Sequence, residues 1–432
     1  MQNSVQTQSD EPGQTAAPVR GAKTALGLLL AINLFNYIDR QVLAAVEPDI
    51  RRELLPNAAD PRAKMGLLFT AFIVTYMVIA PLFGYLAERV SRWVLIGIGV
   101  IVWSLASGAS GLAQTFTMLL VTRCFVGFGE GAYGPVAPTV ISDLYPIRMR
   151  GQVMSWFYLA IPVGGAMGYA LGGQIAESSL GWRWAFYCVV PPGLLLGALC
   201  FFLRDVVRGA ADPAAKPVRA PGFAQYKALL YTPSYVLDTL GMAAMTFAIM
   251  GVATWMPDYL EQRHVAGLGK ISPRLLFGVI TALGGLLATL LGGLAGDVLR
   301  RRFAGSYFLV SAAGLIAGAP LLAAMLYVPF PLAWVFIFLA VFCLFFNTGP
   351  TNTILANVTH PAIRATAFAV NILVIHVLGD AISPAVVGAI ADHASMRLGF
   401  LFMCAVMVIG GLLWLWGARY LKRDTDLAPA RI

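Results

Sequence analysis

Charge is what this sequence lacks. Only 12% of its 432 residues are Asp, Glu, Lys or Arg, while 59% are hydrophobic. Soluble domains carry roughly 25% charged residues. The chain therefore reads as an integral membrane protein with almost no room for a soluble domain. Cysteine is also scarce. Cys124, Cys188, Cys200, Cys343 and Cys404 all lie in apolar runs, as small core hydrophobes and not as disulfides or metal ligands. There is no Walker loop, no zinc-ligand spacing and no arguable Ser/His/Asp set, so nothing points to an enzyme, a cofactor or a metal. The string Gly127-Phe-Gly-Glu-Gly only superficially resembles a nucleotide loop, because it sits inside an apolar run. Residues 1–20 are rich in Gln, Ser, Thr, Pro and Ala and lack the apolar core of a cleavable signal. They read as a disordered tail, with the first helix retained. A net charge of +9 would point to nucleic acid in a soluble protein. Here it is assigned to basic loops on one membrane face, and no nucleic-acid partner is expected.

What is present is a series of twelve apolar runs, at about 23–46, 64–88, 93–113, 117–140, 151–176, 183–203, 234–257, 273–297, 305–327, 331–356, 366–391 and 398–420. Each is long enough to cross a bilayer as a helix. The long polar gap from Arg204 to Thr232 splits them into two sets of six. The expected architecture is all-α: twelve transmembrane helices in two six-helix bundles, 21–204 and 233–421, joined by a cytoplasmic linker at 205–232 and followed by a short tail, 422–432. If the N-terminus is cytoplasmic, that face receives Arg20, Lys23, Arg89, Arg92, Arg148, Arg150, Arg300 to Arg302, Arg364, Arg419, Lys422 and Arg423, besides the linker. The other face holds fewer, among them Arg51, Arg52, Lys64, Arg263 and Arg274. Both termini are therefore placed inside, in an inner (plasma) membrane.

A weak repeat agrees with the split. Gly84-Tyr-Leu-Ala-Glu88-Arg89-Val-Ser-Arg92 and Gly293-Leu-Ala-Gly-Asp297-Val-Leu-Arg-Arg301 match in Gly, acid and Arg at a constant offset of 209 residues. Pro146-Ile-Arg-Met-Arg150-Gly is echoed by Pro361-Ala-Ile-Arg364-Ala. Parallel repeats of this kind belong to two-bundle transporters whose substrate site lies between the halves.

Inside the runs stand ionisable residues that no lipid-facing position tolerates, since each costs roughly 2.5–3.5 kcal/mol at the bilayer centre. Arg123 and Glu130, seven residues apart, share a helix stripe, separated by glycines that let a neighbour or a ligand approach. Asp39 and Arg40 lie deep in the first run, with Asp39 expected to face a cavity beside Glu130 and Arg123. A carboxyl in such a site changes its proton affinity with its surroundings, so Glu130 first and Asp39 second are candidate proton carriers. Arg40 and Arg123 are candidate anion ligands, because guanidinium matches phosphate or carboxylate and cannot lose its proton. His376 and Asp380, at i and i+4, offer a second titrating pair. Gly379-Asp380-Ala-Ile-Ser383-Pro384 predicts a bend there. Asn36, Tyr37, Asn347, Thr351 and Asn371 are candidate cavity groups, although such residues also tie membrane helices together. The same ionic pattern fits a static packing network. The glycines at 164, 165, 168, 172 and 173 are assigned to close packing.

The Gly84–Arg92 segment resembles the helix 2–3 loop motif of the major facilitator superfamily, with Glu88 where Asp is usual and Ser91 in place of Gly. Arg123 and its glycines resemble that superfamily's helix 4 motif. More narrowly, Asn36-Tyr-Ile-Asp39-Arg40, Gly127-Phe-Gly-Glu130-Gly-Ala-Tyr133, Pro138-Thr-Val-Ile-Ser-Asp143-Leu-Tyr-Pro146 and Gly181-Trp-Arg-Trp-Ala-Phe186 are similar to the Spinster family of lipid transporters. The resemblance implies movement of a lysophospholipid or sphingosine 1-phosphate, coupled to protons, with Tyr133 among the substrate contacts. Gly84, Glu88, Arg89, Arg92, Gly293, Asp297 and Arg301 are then gating residues that latch an outward-open state. A monomer is expected. Two other readings stay open: a proton-coupled symporter of small organic anions or a drug efflux protein, and a receptor of transporter-like fold that carries nothing.

Overall fold

The computed structural model describes residues 18–87, 89–145, 147–207, 229–265, 271–359 and 364–428. The first half contains α1 (Ala22–Leu54), α2 (Pro61–Ala87), α3 (Arg92–Gly111), α4 (Phe116–Tyr133), α5 (Ala137–Leu144), α6 (Ile147–Tyr158), α7 (Ala160–Glu177), α8 (Trp182–Tyr187) and α9 (Val190–Cys200). The second contains α10 (Pro233–Gln262), α11 (Pro273–Arg300), α12 (Ser306–Ala324), α13 (Ala333–Phe345), α14 (Thr348–Val358) and α15 (Arg364–Ile375). A π-helical turn (His376–Asp380), α16 (Ser383–His393), α17 (Met396–Gly417) and α18 (Leu421–Leu427) complete it.

Several of the twelve membrane spans are broken, and the breaks have one cause. The runs expected as single helices at 117–140, 151–176, 183–203, 331–356 and 366–391 each split about one turn before a proline: Pro138, Pro162, Pro191, Pro350 and Pro384. Proline supplies no N–H to the carbonyl four residues earlier, and its ring crowds that carbonyl. Nine helical stretches among the described residues are long and apolar enough to cross a membrane by composition alone. The three spans outside that set, α1, α4 and α7, include the two that carry Asp39, Arg40, Arg123 and Glu130 and the one with the glycines at 164, 165, 168, 172 and 173.

Those glycines set how the helices meet. In α7, a Cβ at Gly168 would stand 2.5 Å from the Ile38 carbonyl oxygen of α1, so the two backbones touch. Between the halves, Gly66 of α2 lies against Pro384 and Ala385 of α16, where a Cβ would stand 2.5 Å from their backbone. The principal packing between halves, among the described residues, pairs α2 with α16, α7 with α11 and α1 with α10. It concentrates at the end of the molecule where α1 finishes and α2 begins. Towards the other end, Val78, Leu82 and Tyr85 of α2 are exposed and Gly84 meets nothing.

The linker expected at 205–232 lies outside the described residues from 208 to 228, as do the expected tails over 1–17 and 429–432. Its first residue, Asp205, is anchored: its carboxylate accepts from the Arg92 backbone N–H at 2.9 Å and from Arg92 Nε at 3.1 Å.

Candidate functional site

Between the halves lies a cavity of about 390 Å³, lined from α1, α2, α4 and α7 on one side and from α10, α11, α13 and the π-helical turn on the other. Its walls are mostly apolar and aromatic, with Phe69, Phe72, Ile249, Met250, Phe277 and Phe345 prominent. Cavities of this size and lining take small organic ligands or part of a larger one.

One corner is charged. Arg40 reaches from α1 and sets both Nε and Nη2 2.6 Å from Glu130 Oε2 on α4. Its guanidinium carbon lies 5.2 Å from the Tyr37 ring centroid, 5.0 Å from that of Phe72 and 5.6 Å from that of Tyr76. A cation held over ring faces keeps an electrostatic partner even where water is scarce. The Glu130 side chain is fully buried, while that of Arg40 is 25% exposed to the cavity. An anion arriving in the cavity therefore meets Arg40 before it meets Glu130. Arg40 and Tyr37 thus stand where a substrate contact was expected.

Asp39 does not. It was expected to face the cavity beside Glu130, but it is 2% exposed and turned to α3, where Ser107 Oγ donates to Oδ1. Adjacent residues on a helix point about 100° apart, so with Arg40 in the cavity Asp39 must point elsewhere. Arg123 also turns to α3 and forms no ion pair with Glu130 among the described residues. Its Nη2 donates to Ser110 Oγ at 2.5 Å, its guanidinium lies 5.3 Å from the Phe186 ring centroid, and it is the strongest cationic influence on Asp39. It touches the cavity wall but is only 2% exposed. The shared stripe of Arg123 and Glu130 thus serves two different sets of partners: Glu130 pairs with Arg40, while Arg123 holds Ser110 and the Phe186 ring. Asn36 is buried beside this cluster at 3% exposure and does not line the cavity.

On the opposite wall, His376 Nδ1 and Asp380 Oδ2 are 2.6 Å apart and both line the cavity. The bend expected there is a π-helical turn, a feature concentrated at functional sites. The Tyr76 ring meets the His376 ring edge-on at 6.4 Å, so one tyrosine touches Arg40 on its own half and His376 on the other. Tyr76, Phe72 and the cavity-lining Gln41 and Thr246 were missed in the sequence. The four-residue spacing of Phe72 and Tyr76 was the available signal, lost among many apolar aromatics.

Besides Asn36, four expected substrate residues lie outside the cavity. Tyr133 is 2% exposed and donates to the Leu29 carbonyl at 2.9 Å. Asn347 and Thr351 are fully buried. Asn347 donates to the Cys343 carbonyl at 3.0 Å and Thr351 to the Asn347 carbonyl at 2.9 Å. Asn371 donates to Thr239 Oγ1 at 3.0 Å, joining α15 to α10. A buried amide or hydroxyl in an apolar bundle takes the nearest acceptor, and packing supplied a carbonyl for three of them and the Thr239 hydroxyl for Asn371.

The closed end carries an ion-pair network absent from the sequence reading. Asp258 of α10 receives Arg51 of α1 and, at 2.8 Å, Arg62 of α2. Asp392 of α16 accepts from the Ala63 N–H at 2.8 Å, and Arg62 stands 3.5 Å from its Oδ1. Arg52 reaches Glu261 at 3.1 Å, and Arg274 of α11 reaches Asp49 at 3.1 Å. All of these join one half to the other.

The expected gating motifs sit toward the open end. Glu88 lies outside the described residues. Arg89 stacks on Tyr85, 3.6 Å from its centroid, and Arg92, 2% exposed, pairs with Asp143 as well as Asp205. Asp297 accepts from the Tyr307 hydroxyl at 2.7 Å. A Cβ at Gly84 or at Gly293 would meet nothing within 4 Å.

Residues 29–379 match the family model of the Major Facilitator Superfamily. Protein spinster homolog 1 of Homo sapiens is 36% identical over 458 residues, covering 98% of this chain and 84% of its own length. The sphingosine-1-phosphate transporter of Danio rerio is 33% identical over 438 residues, covering 94% and 86%. Among solved structures, a bacterial homolog of the human lysosomal transporter Spinster, inward-facing and unoccupied, superposes with a TM-score of 0.82 at 21% identity, covering 94% of this chain and 99% of that one.

Proposed function

Because this chain belongs to the major facilitator superfamily, and within it to the spinster transporters, we propose that it moves an amphipathic anionic lipid by proton-coupled alternating access. The single observation that carries the reading is the cavity's division of labour: the exposed Arg40 guanidinium at a polar corner, the His376–Asp380 pair on the wall opposite, and mostly aromatic and aliphatic walls between them. A phosphate or carboxylate headgroup would take Arg40, and an acyl chain would lie along Phe69, Phe277 and Phe345. A lysophospholipid or a sphingosine 1-phosphate-like molecule fits that division. A small hydrophilic anion would leave most of the wall unused.

Coupling follows from competition. Arg40 cannot give the same donors to Glu130 and to a headgroup. When the headgroup takes them, Glu130 is left buried without its counter-charge, and binding a proton relieves that cost. Headgroup and proton are thus bound together. Asp39 beside Arg123, and His376 beside Asp380, are the remaining candidates for proton traffic. The positive-inside asymmetry places both termini in the cytoplasm, which makes the closed end external and the open end cytoplasmic. Arg92, Asp297 and Arg301, near the open end, are proposed as the groups that re-pair when that end closes, with Gly84 and Gly293 allowing the approach. We place the protein in the plasma (inner) membrane as a monomer.

The test is uptake of labelled lysophospholipid and of sphingosine 1-phosphate into liposomes carrying the purified protein, with and without a pH gradient. Lipid flux that rises with the gradient is expected. Flux of a water-soluble anion with no lipid flux would overturn the substrate class, and lipid flux indifferent to the gradient would overturn the coupling.

A further inference from the structure

Behind Asp39, on the side away from the cavity, α1, α3 and α9 leave a void of about 10 Å³ lined by Phe35, Asp39, Trp103, Ser104, Ser107, Val189 and Gly193. That volume admits about one water molecule. Three observations converge on it. Asp39 is 2% exposed, and its Oδ2 has no hydrogen-bond partner among the described residues, whereas Oδ1 accepts from Ser107. Ser104, also 2% exposed, donates its hydroxyl to the Val100 carbonyl at 2.7 Å, which leaves its oxygen lone pairs free to accept. Gly193 of α9 keeps the space open, because a Cβ there would stand 2.1 Å from Ser104 Oγ.

We propose that this void is a binding site for a single ordered water, held by Asp39 Oδ2 and the Ser104 hydroxyl. The water donates one hydrogen to each of these acceptors. Two polar partners meet the minimum for a buried water. A metal cation fits poorly: calcium takes six or more oxygen ligands, and the void offers only the Asp39 carboxylate and two serine hydroxyls among aromatic and aliphatic walls. Arg123, facing Asp39 from α4, further disfavours a second cation.

The site gives Asp39 a partner in both charge states. An ionised Oδ2 accepts from the water. A protonated Oδ2–H donates to it, and the water turns without any movement of α1 against α3. The charged groups near Asp39 are Arg123 and Glu130 from α4 and Arg40 from its own helix, while the void-lining residues of α3 and α9 carry no charge. The consequence for coupling rests on the reading of Asp39 as a proton carrier; the water site does not.

The experiment is difference infrared spectroscopy of the full-length protein in lipid nanodiscs, in ordinary water and in H2(18)O. We expect an isolated water O–H stretching band that moves on isotope exchange and is lost in both Gly193→Ala, which fills the void, and Ser104→Ala, which removes an acceptor without adding bulk. Ser104→Ala guards against a misfolded Gly193→Ala. In both variants the pH profile of uptake should shift by about one unit, the effect of one hydrogen bond to a charged group. An isotope-sensitive band unchanged in both variants, or none at all, overturns the proposal. An Asp39 carbonyl band that never changes with pH would sink the proton role of Asp39 while leaving the water band intact, so the two failures are distinguishable.

Discussion

Arg40 spends two nitrogens on a single oxygen of Glu130, both at 2.6 Å, and leaves the other carboxylate oxygen without a partner. The pair is lopsided in exposure too, with the guanidinium reaching the cavity and the carboxylate sealed behind it. Such a contact is built to be exchanged, and it organises the first two predictions.

Glu130→Gln retains size and hydrogen bonding but cannot carry charge. Uptake of lysophospholipid should persist at the level seen without a gradient and lose its stimulation by an imposed pH gradient. The stability loss should fall below the roughly 3–5 kcal/mol of a fully buried broken pair, because Arg40 retains water and three aromatic faces. Gradient stimulation equal to wild type in the purified variant would remove Glu130 from the coupling.

Arg40→Ala should weaken binding of an anionic lysolipid by roughly tenfold to a hundredfold, in keeping with about 1.5–3 kcal/mol for a charged hydrogen bond. Arg40→Lys should recover only part of it, since an ammonium lacks the planar fork. Binding of an uncharged alkyl glycoside of equal chain length should change little. Titration of both ligands by intrinsic fluorescence checks this, and equal losses for both would count against a headgroup contact.

Asp258→Asn should loosen the closed end. Asp258 is 2% exposed and takes both Arg51 and Arg62 across the boundary between halves. Removing about 1.4 kcal/mol of preference for the closed arrangement raises the share of molecules open at that end about tenfold. Labelling of Ala63→Cys by an impermeant maleimide, above the background of the native cysteines, should accelerate accordingly. An unchanged rate would mean that Gly66 packing on α16, and not the ion pairs, holds this end.

Glu53 lies beyond the first apolar run and accepts from Trp182 Nε1 and Arg183 Nη1, each at 2.8 Å. The Arg183 hydrogen bond, helped by Trp182, holds its carboxyl below the usual range. A carboxyl with lowered proton affinity in the folded state adds stability above its unfolded value, about pH 4.3, and loses it as pH falls through the folded value. Glu53→Gln should therefore lower the melting temperature slightly at pH 7, by roughly 1–2 °C for so exposed a pair. The difference should fade as pH falls through the folded value, as melting curves across pH would show. A constant difference would assign the effect to packing on Trp182.

The charged residues of the first and fourth spans show what could be read early. That Asp39, Arg40, Arg123 and Glu130 turn inward follows from the cost of charge in hydrocarbon and needs no coordinates. Their pairing did not follow. Spacing put Arg123 and Glu130 on one stripe, and that is true of the helix, but each found its partner on another one. Asn347, Thr351, Asn371 and Tyr133 illustrate a second limit: a polar side chain in an apolar run is equally consistent with a cavity wall and with a nearby carbonyl. The closed-end network was the largest omission. Its arginines were counted for topology, and no local pattern joins Arg51 to a partner 207 residues away.

Composition and hydropathy by themselves determined that this chain lives in a membrane and that twelve helices cross it, because water and hydrocarbon act on each segment separately. Tertiary structure alone decided which way each helix is rotated about its axis. Periodicity relates the residues of one helix to each other and says nothing of its angle to the next. That angle is set where backbones meet, as at Gly168 on α1 and Gly66 on α16. It turned Arg40 to the cavity, Asp39 to Ser107, and two separate halves into one closed end.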